Sequence, residues 1–364
     1  MAVGMGLSIG TVNTVSARAE EGAGKAPPGL LLGHRRAAGR APAVTRRTTL
    51  TFDSTGTARV GLIPRHGRAI TEFADLGQRA VRARVAHRSL GPADLVALVT
   101  DRLVAEARTE CGDGLGVALT HPAVYTAEQV ARLREALDSI GREDVALVAE
   151  PVAAATWLEA EHGPLMPGLT LVYDLGGASL DVTLVRVGAG RPHNPIVGIP
   201  LRSADFGGRA FGASVVTRGA GDSSSVDADE LRIAHVRSSL ELVYRCLGLA
   251  DVTMADVDRV LVVGGAARPA EVARVLEEEL ARPVIVARDP ERTIADGAAL
   301  LARRTAEAAE EAAGVRKRRG LLSARRRKPA RVAAALAMIA SGVGVAIAVP
   351  ADGVIAGLGA LGLF

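Results

Sequence analysis

Aromatic residues make up only 2% of this 364-residue chain. That scarcity excludes a base-stacking nucleic-acid surface, which needs successive aromatic faces. Cysteine is nearly absent as well. Cys111 and Cys246 stand far apart, without the spacing of a zinc site or a disulfide framework, which suits a reducing compartment. The N-terminus has no basic stretch followed by an apolar core, so no secretory signal is expected. Acids are missing from one segment: residues 316–331 carry nine lysines and arginines and no aspartate or glutamate. The formal net charge of +4 and the pI near 9.5 come from that stretch, and the rest of the chain is mildly acidic.

Behind the basic cluster, residues 332–349 form an 18-residue run without a charge. As a helix rising about 1.5 Å per residue it reaches about 27 Å, close to the hydrocarbon thickness of a bilayer. A buried core helix is the plain alternative. The one-sided basic flank and the position after the folded body favour a membrane anchor, with the N-terminal body cytoplasmic. The expectation is a single-pass protein of the cell membrane whose basic segment meets anionic lipid, at about 1 kcal/mol per basic residue. The apolar tail 354–364 leaves a hairpin open as the other form of the anchor. Nucleic acid is not expected as a partner.

What the chain does have is glycine turns between apolar runs. Residues 171–185, LVYDLGGASLDVTLV, place Asp174 and Asp181 on either side of Gly176-Gly177. Glycine lets backbone N–H groups come close to a phosphate, and the two carboxylates can hold Mg²⁺ through water. A simple β-hairpin accounts for the same segment. Periodicity predicts a strand, turn and strand over 5–16, and strands over 48–52, 115–120, 145–148, 196–201, 259–263 and 284–287. Helices are predicted over 91–109, 126–140 with Thr126 as N-cap, 151–161, 228–247, 269–280 and 293–313. Residues 220–227 read as a flexible link. Two strand-turn-strand openings, each followed by helices and parallel strands, describe a duplicated α/β lobe.

Several segments follow one another in a telling order: Gly6-Leu7-Ser8-Ile9-Gly10-Thr11-Val12-Asn13, then Ala149-Glu150-Pro151, then the Asp174–Asp181 hairpin. Gly207-Gly208 with Phe211 comes next, followed by Val263-Gly264-Gly265-Ala266-Ala267-Arg268 and the stretch from Pro290-Glu291 to Ala299. Over about residues 3–304 this series resembles the nucleotide-binding domain of the heat-shock protein 70 family, the actin-like ATPases of DnaK-type chaperones. The resemblance implies an α/β protein with the actin-like ATPase fold, two duplicated lobes with reduced peripheral subdomains, here followed by the C-terminal transmembrane helix. The expected division is 1–161 for the first lobe, 162–313 for the second, 314–331 for a basic linker and 332–364 for the anchor.

The same resemblance implies ATP or ADP with Mg²⁺ as cofactor. Gly10, Thr11, Val12, Gly176, Gly177, Ser179, Gly207, Gly208, Gly264, Gly265, Arg268 and Glu291 would hold the nucleotide, with Arg268 stacking on the adenine. Asp174 and Asp181 would hold the metal, and Glu150, Arg65, Asp174 and Asp181 would serve catalysis. For Glu150 alone, a helix-start carboxylate at the positive end of the dipole is an equal reading. Departures from the family pattern are Ser8 for an Asp, Arg65 for a Lys and Gly212 for an Asp. Arginine lacks the compact ammonium that fits beside a γ-phosphate. The short stretch after Phe211 leaves out a subdomain that walls the adenine pocket, so Arg232, Arg237 and Ser238 have no assignment. After Ala313 nothing resembles a peptide-binding β-sandwich or lid, so client refolding in the family's sense is not expected. Three functions stay open: a tethered nucleotide-binding, chaperone-like module with weak or absent hydrolysis and an unknown protein partner, a nucleotide-free scaffold, and an active ATPase.

Overall fold

Alternation along the first strand sets the architecture. β1 (Val3–Ile9) buries Met5, Leu7 and Ile9 on one face and carries Gly4, Gly6 and Ser8 on the other. The chain continues through β2 (Asn13–Ala19), β3 (Val44–Arg47), the small hairpins β4 (Leu50–Phe52) with β5 (Ala58–Val60) and β6 (Ala83–Val85) with β7 (Arg88–Leu90), then α1 (Pro92–Cys111), β8 (Leu115–His121), α2 (Ala127–Asp138) and β9 (Val145–Ala149). In this computed structural model the described residues are 2–20, 43–53, 56–63, 69–77, 83–85, 88–112, 114–219 and 227–312.

The chain then repeats its plan. α3 (Glu150–His162), β10 (Gly168–Leu175), β11 (Leu180–Val187), β12 (Ile196–Ser203), α4 (Gly208–Gly219), α5 (Ala228–Leu249), β13 (Arg259–Val263), α6 (Ala270–Leu280) and β14 (Val284–Val286) precede a last helix, α7, over 293–312. The first sheet has the order β3-β2-β1-β8-β9 and the second β12-β11-β10-β13-β14. In each, three strands form an antiparallel meander, the first of them pairs in parallel with a later strand, and that strand pairs in parallel with one more. One topology used twice is the duplication that the two glycine hairpins announce.

Local chemistry places the helices. α1 starts where the Gly91 N–H donates to Asp94 at 2.8 Å, with a proline in its first turn. α2 is closed by a capping box: the Gln129 N–H donates to the Thr126 hydroxyl at 3.3 Å, and the Thr126 N–H donates back to Gln129 at 2.8 Å. Leu95, Val99, Leu103 and Leu133 pack these two helices on the outer face of the first sheet, while Leu240, Val243, Val272 and Leu276 pack α5 and α6 on the second.

Between the sheets lie α3 and α7, whose Ala153, Ala154, Trp157, Leu158, Ile294, Ala298 and Ala302 meet Val172, Val185 and Leu261. The approach is close because the facing residues are small. A Cβ at Gly6 would lie 2.0 Å from the Ala295 carbonyl, and one at Gly297 1.8 Å from that of Ala153. Glycine here is a packing requirement.

The transmembrane helix expected over 332–349 must be corrected. Among the described residues no helix is long and apolar enough to cross a membrane, and residues 332–349 lie outside them, as does the basic segment 314–331. The longest described helices are two-sided: α1 buries Leu95, Val99 and Leu103 and presents Asp101, Arg102, Glu106 and Glu110 away from that core. The fold class that the described residues show is the α/β architecture. The cell-membrane localisation falls with that helix, and nothing among the described residues supports the lipid partner expected of the basic segment.

Candidate functional site

The alternation that builds the sheets also builds the site. On β10, Leu171, Tyr173 and Leu175 face the outer helices, which turns Val172 and Asp174 inward; on β11, Leu180, Val182 and Leu184 face outward and Asp181 inward. Asp174 and Asp181 are direct cross-strand partners, and Arg202 on β12 is the partner of Asp181 on its other side. Glu150 is the first residue of α3 and enters the same space. The result is a cleft of about 240 Å³ lined by both glycine hairpin turns (Gly10, Thr11, Val12; Gly176, Gly177, Ser179), by Gly264 and Gly265, and by Ser8, Asp75, Glu150, Asp174, Asp181, Arg202, Arg268 and Glu291.

The turns approach one another as closely as sterics allow. A Cβ at Gly177 would lie 2.5 Å from Val12 Cγ2. Gly264 has φ +95° and sits over β10, where a Cβ would lie 2.6 Å from Asp174 Oδ1. No other residue type holds that conformation without strain.

Charge in the cleft is unbalanced. Asp181 accepts from Arg202 Nε at 2.8 Å and from the Ser179 hydroxyl at 3.0 Å, one bond to each oxygen. Arg202 also pairs with Asp75 at 3.5 Å. The Tyr125 hydroxyl steadies that neighbourhood, accepting from the Leu76 N–H at 2.9 Å and donating to the Ala74 carbonyl at 3.1 Å. Asp174 and Glu150 have no hydrogen-bond or ion-pair partner among the described residues. Burial, then the charge of Asp181, pushes Asp174 up to about 7. Burial first, then Asp174 and Asp181, holds Glu150 well above the usual carboxylate range. Burial also raises Asp181, despite Arg202. For Arg202 burial opposes the charge, but Asp181, Glu150 and Asp75 outweigh it and its pKa stays above the ordinary arginine value.

Most of the residues singled out in the sequence meet in this one cleft, but not all in the expected posture. Gly207 and Gly208 stand behind the second turn: the Gly208 N–H donates to the Gly176 carbonyl at 3.0 Å, and the Arg209 N–H to that of Gly177 at 2.8 Å. Arg268, expected to stack on an adenine, pairs with Asp289 at 3.1 Å and with Glu291, whose other oxygen accepts from the Asn13 side chain at 2.7 Å. Arg65 lies outside the described residues, as do residues 220–226 of the expected link. The three unassigned side chains find structural partners away from the cleft. Arg232 sits 5.0 Å from the centre of the Phe211 ring, Arg237 pairs with Glu279 at 2.7 Å, and the Ser238 hydroxyl donates to the Ala234 carbonyl at 2.9 Å.

Sequence reasoning missed Asp75, Tyr125 and Arg202. The inward parity of β12 was the one available signal for Arg202, and it has meaning only once the strand's register is known.

Tested against this cleft, a nucleotide fits: three glycine turns close in on one cavity where any Cβ at 177 or 264 would intrude on a neighbour. A divalent metal on Asp174 and Asp181 fits poorly. Both oxygens of Asp181 are engaged, and no group of three His, Cys, Asp or Glu side chains among the described residues could hold a metal ion.

Two sheets of one topology, with glycine turns meeting over an acidic cleft, define the class of two-lobed α/β proteins to which the actin-like ATPases belong. Residues 69–219 and 226–310 match the family described as Hsp70 protein, more than half of the chain. The chain belongs to the Hsp70 family. It is 27% identical over 255 residues to the chaperone protein HscA homolog of Cupriavidus pinatubonensis, covering 58% of this chain and 41% of that one. It is 28% identical over 253 residues to the chaperone protein HscA of Escherichia coli O6:H1, again 58% and 41%. With the HscA homolog of Bordetella petrii it shares 26% over 280 residues, 64% and 44% of the two chains. The chain thus spans less than half the length of these relatives.

Proposed function

We propose that the cleft binds ATP or ADP between the two sheets, that hydrolysis there is weak or absent, and that the nucleotide state is read by a protein partner in a chaperone-like way. The observation that carries this reading is the convergence of the turns at 10–12, 176–179 and 264–265 on one cavity. The first two would take the phosphates, and the third the adenosine side. Membership of the Hsp70 family supports the same ligand.

Weak turnover follows from the acids. Glu150 would accept a proton from an attacking water, but burial and the charges of Asp174 and Asp181 raise its pKa and so favour the protonated form, which cannot accept one. The Mg²⁺ expected on Asp174 and Asp181 is not carried into this reading, because Asp181 is engaged by Arg202 and Ser179.

Calorimetric titration of the full chain with ATP and with ADP tests the binding, and phosphate release tests the turnover. Heat of binding that is lost in a folded Gly265→Val variant, where the new side chain narrows the cleft beside Glu291, is the expected result. No heat with either nucleotide overturns the reading. Phosphate release abolished by Glu150→Gln would restore an active ATPase. A nucleotide-free scaffold is favoured by one observation, the engagement of Arg268 with Asp289 and Glu291, and the same titration separates it.

A further inference from the structure

Arg202 holds the place in the cleft where a counter-ion to the acids is needed. Register fixes it there: β12 pairs with β11 so that Arg202 faces Asp181, and the guanidinium spans to Asp75 as well. Asp181 accepts from Arg202 with one oxygen and from Ser179 with the other, so a metal ion bound there would compete with a cross-strand ion pair for the same carboxylate. At the matching place on the first sheet, the inner face of β1 ends in Ser8, a hydroxyl that cannot neutralise a cation.

A guanidinium has five N–H donors; Nε serves Asp181 and Nη1 lies 3.5 Å from Asp75, which leaves Nη2 without a partner among the described residues. The remaining donors match the spacing of two phosphate oxygens, which a compact ammonium would not. The two aspartates then act as the clamp that aims the fork.

We infer that Arg202 takes the role of the divalent metal, so that the cleft binds a nucleoside di- or triphosphate without a metal ion, the guanidinium contacting the phosphates directly. This rests on the nucleotide reading above and adds to it the charge state of the ligand. Arg202 is a binding residue here; no covalent step is involved.

The full chain is titrated with ATP in excess Mg²⁺ and in excess EDTA, and separately with Mn²⁺ alone, followed by its electron-spin signal. The expected result is an ATP affinity that differs by less than about threefold between the two buffers, with no stoichiometric Mn²⁺ binding. Arg202→Gln should weaken ATP binding in EDTA by about tenfold or more, and Arg202→Lys should recover part of it. ATP binding about tenfold or more tighter with Mg²⁺, stoichiometric Mn²⁺ on the nucleotide-free chain, or an Arg202→Gln variant of unchanged affinity would each overturn the inference while leaving nucleotide binding in place. Absence of ATP binding in both buffers would instead remove the nucleotide reading and this inference together. If Arg202→Gln does not fold, the two wild-type titrations decide.

Discussion

Asp181 and Arg202 face each other across neighbouring antiparallel strands, with Arg202 Nε 2.8 Å from Asp181 Oδ1. On its other flank Asp181 faces Asp174, a like charge in register. Arg202 therefore offsets repulsion that the sheet itself imposes, since like charges directly opposite destabilise a pair. Removing the cation should be felt in stability as well as in binding.

In Arg202→Leu the buried Asp181 loses its partner, and we expect a loss of about 3–5 kcal/mol at about pH 7.5. The loss should shrink at about pH 5, because burial raises the Asp181 pKa and a carboxyl that takes up a proton more readily depends less on its counter-charge. Urea unfolding at the two pH values checks this; equal losses at both would contradict it.

Asp174 gives stability a pH dependence with a definite sign. Its folded pKa is raised to about 7, against about 3.9 for an unperturbed aspartate. Between those values the folded chain holds a proton that the unfolded chain has released. The contribution is complete below about pH 4 and is lost as pH rises toward about 7, by at most about 1.4 kcal/mol per pH unit. Asp174→Asn should flatten that slope and raise the melting temperature by about 2–5 °C at about pH 7.5, with little change at about pH 4. A wild-type chain that gains stability across this window would refute the assignment.

Glu291 joins the first hairpin turn to the last glycine turn, holding Asn13 with one oxygen and Arg268 with the other. Its side chain is 10% exposed, whereas that of Arg268 is 51% exposed. Glu291→Ala should therefore cost about 1–2 kcal/mol, and Arg268→Ala about 0.5 kcal/mol or less. Hydrogen exchange near residues 10–13 should quicken in the first variant and not in the second.

Gly297 lets α7 cross α3 backbone to side chain-free backbone, and Gly6 does the same for α7 on β1. Gly297→Val or Gly6→Val should cost about 3 kcal/mol or more, because the obstacle is main chain and cannot swing aside. Gly190→Ala, with nothing within 4 Å of its Cβ but φ +75°, should cost only about 1 kcal/mol. Melting temperatures of the three variants rank the two effects.

Much of this molecule is legible one segment at a time. β13 spans Arg259–Val263 as its apolar run predicts, Thr126 caps α2, and both glycine hairpins fall where Gly10 and Gly176-Gly177 turn the chain. These features depend on neighbours within a few residues, which is what periodicity and capping record. β3 went unread because Val44–Arg47 is short and basic and becomes a strand only by pairing with β2. α4 went unread because its glycines speak for a turn, and what starts it is a hydrogen bond to Gly176 more than thirty residues earlier. The membrane helix is read from an uncharged run, its one-sided basic flank and its place after the folded body, and nothing among the described residues supports it.

Sequence by itself determined the duplicated α/β plan, the three glycine turns and the acids Glu150, Asp174 and Asp181, because each is written in adjacent residues. Only the tertiary structure decided which charges meet. Strand register set Arg202 against Asp181, the fold brought Asp75 to its other side, and Glu291 crossed from the last turn to Asn13. Those pairs join residues from 21 to 278 positions apart. A local pattern carries no information about such a distance. Register and packing do, since a one-residue slip of β12 would turn Arg202 to the opposite face and leave the acids without their cation.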